Sequence, residues 1–382
     1  MMILRRSFLL ALFLVAMSQG MLCSAQIPPS VHVEGRNIVD THGNKVVMHG
    51  VMDTPNAYFN SNRWGACTDA NIPACINYFN QLFTAITDTT QGAHCTVFRL
   101  HLDPCWTNDP NLKSDGKESG EADISRFSKT RLQTYFTSLY WKIIARGLQH
   151  GLHVVVRPPG VCPKSISVGG DYQKYLMTVW DVVSSNLNMK RYAGQVSIEL
   201  ANEPIGIVDS TGKSTASAMR DFFQPIVNKI RANGFTGIIW VPGTGWQSNY
   251  KDYAAYPIEG YNIGYAVHAY VGWYGCSDDN ATGELFLKNF TESVPVVKTN
   301  PVIVTEIDWS PENPNATGHY DEHGNWVQPN YGTWATGSTS KWGKAFKYAK
   351  DQLGNVSMTL TGTSDLIDID TYLKEGKVVA AF

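Results

Sequence analysis

Eight short runs dominated by apolar residues punctuate the chain, at Val46 to Val51, Thr96 to Leu102, His153 to Arg157, Val196 to Leu200, Gly237 to Val241, Ile263 to His268, Val302 to Glu306 and Ser357 to Leu360. They are nearly continuous in Val and Ile rather than alternating, as parallel strands buried on both faces require. Between them apolar residues recur every three or four positions, as at Leu132, Tyr135, Phe136, Leu139 and Ile143, or at Phe222, Ile226 and Ile230. That spacing predicts amphipathic helices. Ahead of these, Val31 to Val51 reads as a β-hairpin that turns at His42-Gly43-Asn44 and leads into the first strand. Strand and helix in eightfold alternation predict an α/β fold, a (β/α)8 TIM barrel with a short N-terminal hairpin. An open doubly wound sheet shares the alternation, but no GxGxxG or GxxxxGKS/T loop follows any run, which favours the barrel.

The N-terminus breaks the pattern. Arg5-Arg6 precede an unbroken apolar run from Phe8 to Met17, and Cys23-Ser24-Ala25 follow a polar break. This is the form of a signal peptide cleaved after Ala25. The run is too short to cross a bilayer, which takes roughly 20 residues. Leu22 before Cys23 argues against a lipoprotein anchor. The expectation is a secreted or periplasmic protein whose residues 26 to 382 form one domain, with no linker, repeat or membrane span, working as a monomer.

A net charge of −2 over 382 residues leaves no electrostatic footprint for nucleic acid or anionic lipid. A hydrophobic content of 43% supplies a large core and excludes a disordered chain. In an oxidising compartment Cys67, Cys75, Cys95, Cys105, Cys162 and Cys276 are available for bridges, and Cys67 with Cys75 or Cys105 with Cys162 are candidate pairs. No CxxC or His/Cys ligand spacing points to zinc, and no cofactor motif is present, so neither metal nor cofactor is expected. Asp365 to Asp370 lacks the spacing and the glycine of an EF-hand and reads as a final loop and solvent-facing edge. Asn280, Asn289, Asn315 and Asn355 stand in Asn-x-Ser/Thr tripeptides, which matter only in a eukaryotic secretory pathway.

A barrel presents chemistry at the C-terminal ends of its strands. There the chain reads Arg99-Leu100-His101, Asn202-Glu203-Pro204, His268-Ala269-Tyr270 and Glu306-Ile307-Asp308-Trp309. Glu203 and Glu306 end the fourth and seventh runs and can face one mouth. Two such carboxylates suit glycoside hydrolysis, one protonated to give a proton to the leaving oxygen, the other ionised. As ordinary strand-end residues, the same glutamates would cap loops or pair with Lys or Arg.

Taken in order, Arg99, Asn202-Glu203-Pro204, His268-x-Tyr270 and Glu306 resemble glycoside hydrolase family five, the cellulase-like retaining barrel glycosidases, over residues 31 to 370. The resemblance implies Glu203 as acid/base and Glu306 as nucleophile. It also implies that Asn202 contacts the sugar 2-hydroxyl, Tyr270 contacts Glu306, His268 lies near Glu203 or the sugar, and Arg99 keeps Glu306 ionised. Two stretches depart from the family's pattern. Arg157-Pro158-Pro159 replaces a His-bearing third-strand end, and Met358 to Gly362 lacks the usual eighth-strand Trp, whose place Trp309 or Trp273 could take. Trp106, Trp246, Trp273 and Trp309 follow strands and are candidate stacking platforms for a sugar, whereas Trp141 and Trp180 fall in helical patterns and read as packing. The expected partner is a β-1,4-linked plant polysaccharide, cleaved as by an endoglucanase or, alternatively, a β-mannanase or other β-glycanase. A polysaccharide-binding protein without activity on the same barrel is the competing expectation.

Overall fold

The computed structural model describes residues 27–277, 279–308, 319–320, 326–327 and 340–379. The leader and Trp309 lie outside the described residues. Eight parallel strands close into a barrel: β1 His49–Asp53, β2 Val97–His101, β3 His153–Arg157, β4 Val196–Glu199, β5 Ile239–Pro242, β6 Ile263–Tyr270, β7 Val302–Asp308 and β8 Val356–Leu360. Each pairs with its sequence neighbour, and β8 returns to β1 with Met358 opposite His49. The eight runs are thus the eight strands, with the first beginning three residues later than its apolar start. Gly50 is obligatory in β1, because a Cβ there would lie 1.7 Å from the Val97 carbonyl oxygen.

Side chains alternate across the barrel wall with the period of two that a strand imposes. Phe98, Leu100, Val154, Val156 and Ile198 pack outward against the helices. Val97, Val155, Trp240, Ala266 and Ile303 point inward and, with Ile238 and Met48, fill the lower barrel. The helices behave as their spacing predicts. Asp171–Ser185 buries Tyr172, Tyr175, Leu176, Val179, Trp180 and Val183. The Leu132 to Ile143 pattern runs through Lys129–Tyr135, a π-turn at Phe136–Tyr140 and Trp141–Gln149. Trp180 is buried with its indole N–H on the Leu200 carbonyl, as a packing residue should be.

The barrel floor is closed by the N-terminal segment, which forms three antiparallel strands rather than one hairpin: Val31–Glu34, Asn37–Asp40 and Lys45–Val46. The expected turn at His42-Gly43-Asn44 joins the second pair, tied by the Asp40 carboxylate to the His42 and Asn44 N–H groups. A second turn at Gly35-Arg36, with Gly35 at φ +56, makes the extra strand. Val31 and Ile38 seat on the inner layer.

The cysteine pairing differs from both candidates. Cys67 is bonded to Cys105, with Cα atoms 5.8 Å apart, joining the loop after β1 to the loop after β2. Cys75 lies on the buried face of helix Ile72–Thr87, turned from its loop neighbour. Cys162 is buried beside Tyr172, its thiol 3.3 Å from the phenol oxygen. Asn355 is buried with its amide donating to the carbonyls of Arg36, Val297 and Asn300, so its tripeptide is closed to glycosylation in the folded chain. Among the described residues no helix is long and apolar enough to cross a membrane.

Candidate active site

The inward-facing parity of the strands, continued upward, turns polar. Val97 is followed at two-residue steps by Arg99 and His101, and Ala266 by His268 and Tyr270. On β7 the register against β6 shifts so that Val304 pairs with Val267 but Glu306 with His268, a bulge at Thr305. The extra residue lets both Thr305 and Glu306 reach inward, the re-aiming that bulges perform. Every predicted site residue on a described strand end therefore converges on the mouth of the barrel.

Arg99 is the hub. Its Nε and Nη2 donate to Glu199 at 2.6 and 3.0 Å, Nη2 also donates to the Asn202 side-chain oxygen at 2.7 Å, and Nη1 donates to Glu306 at 2.7 Å. Tyr270 donates its hydroxyl to Glu306 at 2.6 Å. His268 Nδ1 lies 3.2 Å from Glu203 and 3.5 Å from Glu306, bridging the two carboxylates. One carboxylate oxygen from each of Glu203 and Glu306 and one ring nitrogen of His268 lie within 4.8 Å of one another. Glu203 itself carries a left-handed backbone, φ +59.

The cleft has two lobes that meet at Glu203. One, about 440 Å³, is lined by Asp53, His101, Arg157, Asn202, Glu306 and Thr361, among others. The other, about 730 Å³, is lined by Trp246, Trp273, Tyr274 and Lys251. Trp246, 49% exposed, and Trp273 both line the second lobe. Trp273 packs edge-on to Tyr270 with ring centroids 5.1 Å apart, and Tyr270 in turn reaches Glu306. Trp106 is no platform: it is buried, its indole N–H held by the Pro55 carbonyl. Nor is the C-terminal acidic stretch merely an outer edge. Leu366 and Ile367 are buried, Asp370 pairs with Arg63 at 2.6 Å, and Ile369 and Asp370 line the first lobe.

The family model for cellulase, glycosyl hydrolase family 5, matches residues 84–343, more than half of the chain. The chain belongs to glycoside hydrolase family 5. Among solved structures, a thermostable, halotolerant cellulase of that family from an Icelandic hot-spring isolate aligns at TM-score 0.58 and 16% identity, over 92% of this chain and 90% of that one. A β-glucanase from Saccharophagus degradans aligns at TM-score 0.57 and 17% identity, over 90% and 88%. The catalytic domain of an endoglucanase from Thermobifida fusca aligns at TM-score 0.53 and 17% identity, over 91% and 90%. No curated protein sequence matches the chain. At these identities the structural likenesses show the shared barrel, and the family model makes the protein a glycosidase.

Two further charged residues, Glu199 and Arg157, join the cluster. Glu199 is fully buried and accepts from Arg99, Gln247 and Thr305. An acid inside an apolar strand, two residues above the inward Ser197, was its signal. Arg157, treated above as a departure, is 4% exposed and enters the first lobe, donating to His101 Nδ1 at 2.7 Å and standing 3.9 Å from Glu121. Arginine can only donate, so His101 accepts at Nδ1 and carries its proton on Nε2. Burial, and then the charges of Arg157 and Arg99, hold this imidazole well below its ordinary pKa, so it is neutral.

Electrostatics separate the groups. Burial opposes ionisation of Glu306, but the charges of His268, Arg99 and Arg157 and the Tyr270 hydrogen bond outweigh it and bring its pKa to about 2. Tyr270 moves the other way, raised by burial and by the Glu306 charge, and stays a phenol donor. Asp53, which accepts from Thr54, Asn60, Tyr78 and Thr363, is raised because burial outweighs those bonds. Glu203, His268 and Glu306 also form the cluster spaced to hold a cation, yet Arg99 and Tyr270 already occupy Glu306 and the two guanidinium charges repel one.

Proposed function

We propose that this family 5 glycosidase is an exported, retaining endo-β-1,4-glucanase in which Glu203 is the acid/base and Glu306 the nucleophile. The observation that carries the reading is the approach of the two side chains to within 4.8 Å, bridged by His268. Retaining enzymes place their carboxyl groups about 5–5.5 Å apart, whereas inverting ones leave about 6.5–9.5 Å for a water. The roles follow from environment. Glu306, 9% exposed and held ionised by Arg99, is ready to attack. Glu203, 26% exposed, stands where the two lobes meet, and the departing part of the substrate would extend into the lobe that bears Trp246 and Trp273.

In the first step a Glu306 oxygen bonds to the anomeric carbon while the carbon's bond to the glycosidic oxygen breaks, and Glu203 transfers its proton to that oxygen. In the second, water bonds to the same carbon, giving a proton to Glu203 as the ester to Glu306 breaks. Two inversions leave the configuration unchanged. Asn202, fixed by Arg99, is placed to meet the sugar beside Glu306. Space on both sides of Glu203 supports cleavage within a chain rather than at its end. The leader supports export. The glucan assignment is supported by the cellulase family model and by the Saccharophagus degradans β-glucanase, solved in complex with cellotetraose.

The test is reducing-end release by residues 26–382 on carboxymethyl cellulose, mixed-linkage glucan, xyloglucan, xylan and mannan, with viscosity followed in parallel and the anomer of the first product read by NMR. Expected are a glucan preference, viscosity falling ahead of reducing ends, β-anomer first, and loss of turnover in Glu203→Gln and Glu306→Gln. An α-anomer first product would overturn the roles, and cleavage of mannan alone would replace the substrate. Binding to a polymer with no release from any would restore the non-catalytic alternative.

A further inference from the structure

Beside Glu203 the loop after β5 takes an unusual path. Gly245, Trp246 and Gln247 are consecutive left-handed residues, φ +61, +55 and +61. An L side chain disfavours this region, and successive occupation persists only when surrounding bonds over-determine it. Here they do. Gly245 N–H donates to the Ile205 carbonyl at 2.9 Å and Trp246 N–H to the Pro204 carbonyl at 3.0 Å, zipping this turn onto the segment that follows Glu203. The turn sends its two side chains apart, Trp246 into the open lobe and Gln247 into the barrel, where it is fully buried.

The Gln247 amide has only one possible orientation. Its oxygen accepts the Glu203 backbone N–H at 2.7 Å, and its nitrogen donates to Glu199 at 3.1 Å and to the Ala266 carbonyl at 3.2 Å. The N–H can only donate and the other two partners can only accept, so a flipped amide would face like with like at all three. Glu199 in turn grips Arg99, and Arg99 grips Glu306. One buried chain of hydrogen bonds therefore runs from the backbone of one carboxylate to the side chain of the other.

We propose that Gln247 is a positioning residue for proton delivery: it locks the left-handed backbone of Glu203 so that the carboxyl group stands beside His268, where the two lobes meet. This rests on the reading of Glu203 as acid/base. Gln247 touches no substrate; it acts through Glu203, and its loss should impair the steps in which Glu203 moves a proton, so that in kcat/KM, which reads the first step, the loss appears only where the leaving oxygen needs protonation. Misplacing a catalytic group by about 1 Å costs about a hundredfold.

The experiment compares Gln247→Ala and the near-isosteric Gln247→Met with wild type, Glu203→Gln and Trp246→Ala, all on residues 26–382. Two substrates are used: a tetrasaccharide of the cleaved polymer, whose sugar leaving group needs protonation, and a 2,4-dinitrophenyl glycoside, whose leaving group does not. Active sites are titrated with a 2-deoxy-2-fluoro glycoside, so rates count folded enzyme only. Both Gln247 variants should lose about a hundredfold in kcat/KM on the tetrasaccharide and less than about threefold on the aryl glycoside, paralleling Glu203→Gln. Trp246→Ala should raise KM on the tetrasaccharide without that split in kcat. Equal losses on both substrates per titrated site, or no loss on either, would overturn the proposal while leaving the acid/base reading intact. A Glu203→Gln variant without the split would overturn that reading, and the proposal with it.

Discussion

Arg99 and Glu199 meet through two hydrogen bonds, at 2.6 and 3.0 Å, with neither side chain exposed. Breaking a buried pair by deleting one partner leaves a charge without compensation, at a cost of about 3–5 kcal/mol. Glu199→Ala should therefore lower unfolding stability by that amount in a urea titration. Glu199→Gln, which keeps the volume and an acceptor, should lose less, and a variant as stable as wild type would contradict this account.

Glu306 titrates near 2 in the folded chain against an ordinary value of 4.5. A carboxylate lowered by folding stabilises the native state above its unfolded pKa, and that contribution is lost as pH falls from about 4.5 toward about 2. The acid limb of kcat/KM on an activated aryl glycoside should accordingly lie well below 4.5. Tyr270→Phe removes one bond that favours the ionised form, so the limb should move upward; a limb that stays in place would show that Tyr270 does not tune Glu306.

Arg157 and His101 offer a separate check. Arg157→Met removes a neighbouring positive charge but leaves the imidazole buried, so the His101 pKa should rise without reaching that of an exposed histidine. An NMR titration of the His101 ring reports it. An unchanged value would mean that the Arg157 charge does not hold the imidazole down.

The Cys67–Cys105 bridge closes a loop of 38 residues. Restricting the unfolded chain in this way is worth about 2–4 kcal/mol, so Cys105→Ser should lower the denaturant midpoint accordingly. Cys75, Cys95, Cys162 and Cys276 are buried and unbridged. Burial pushes the Cys95 and Cys162 thiols up to about 12. Alkylating reagents should label these four only after unfolding, as mass spectrometry of native and denatured samples can show.

The barrel and most of its site were legible because strand geometry is local: once a run is identified, residues two apart share a face, and Arg99 with His101 or His268 with Tyr270 must point the same way. Glu199 was open to the same argument and was passed over as part of an apolar run. What the sequence withheld depends on loop path. Nothing in Thr244 to Gln247 signals three left-handed residues, and the pairing of Cys67 with Cys105 requires knowing that two loops meet over β1 and β2. Trp106 follows a strand as a platform would, yet its N–H finds Pro55 and it turns inward. The role of Arg157 likewise emerged only when His101 was seen opposite it.

Closure of the barrel joins its first strand to its last. Met358 of β8 lies opposite His49 of β1, and Arg36 and Asn355 exchange hydrogen bonds beneath them. This pairing joins residues about 310 apart in sequence, so the last strand of the barrel to be made is the one that closes it, and a contact of such high order forms slowly. Until then β1 and β7 are open edges that invite pairing with other chains. A product truncated before Val356 would keep Arg99, Glu203 and Glu306 and still be a sheet with two raw edges, prone to aggregation instead of partial activity.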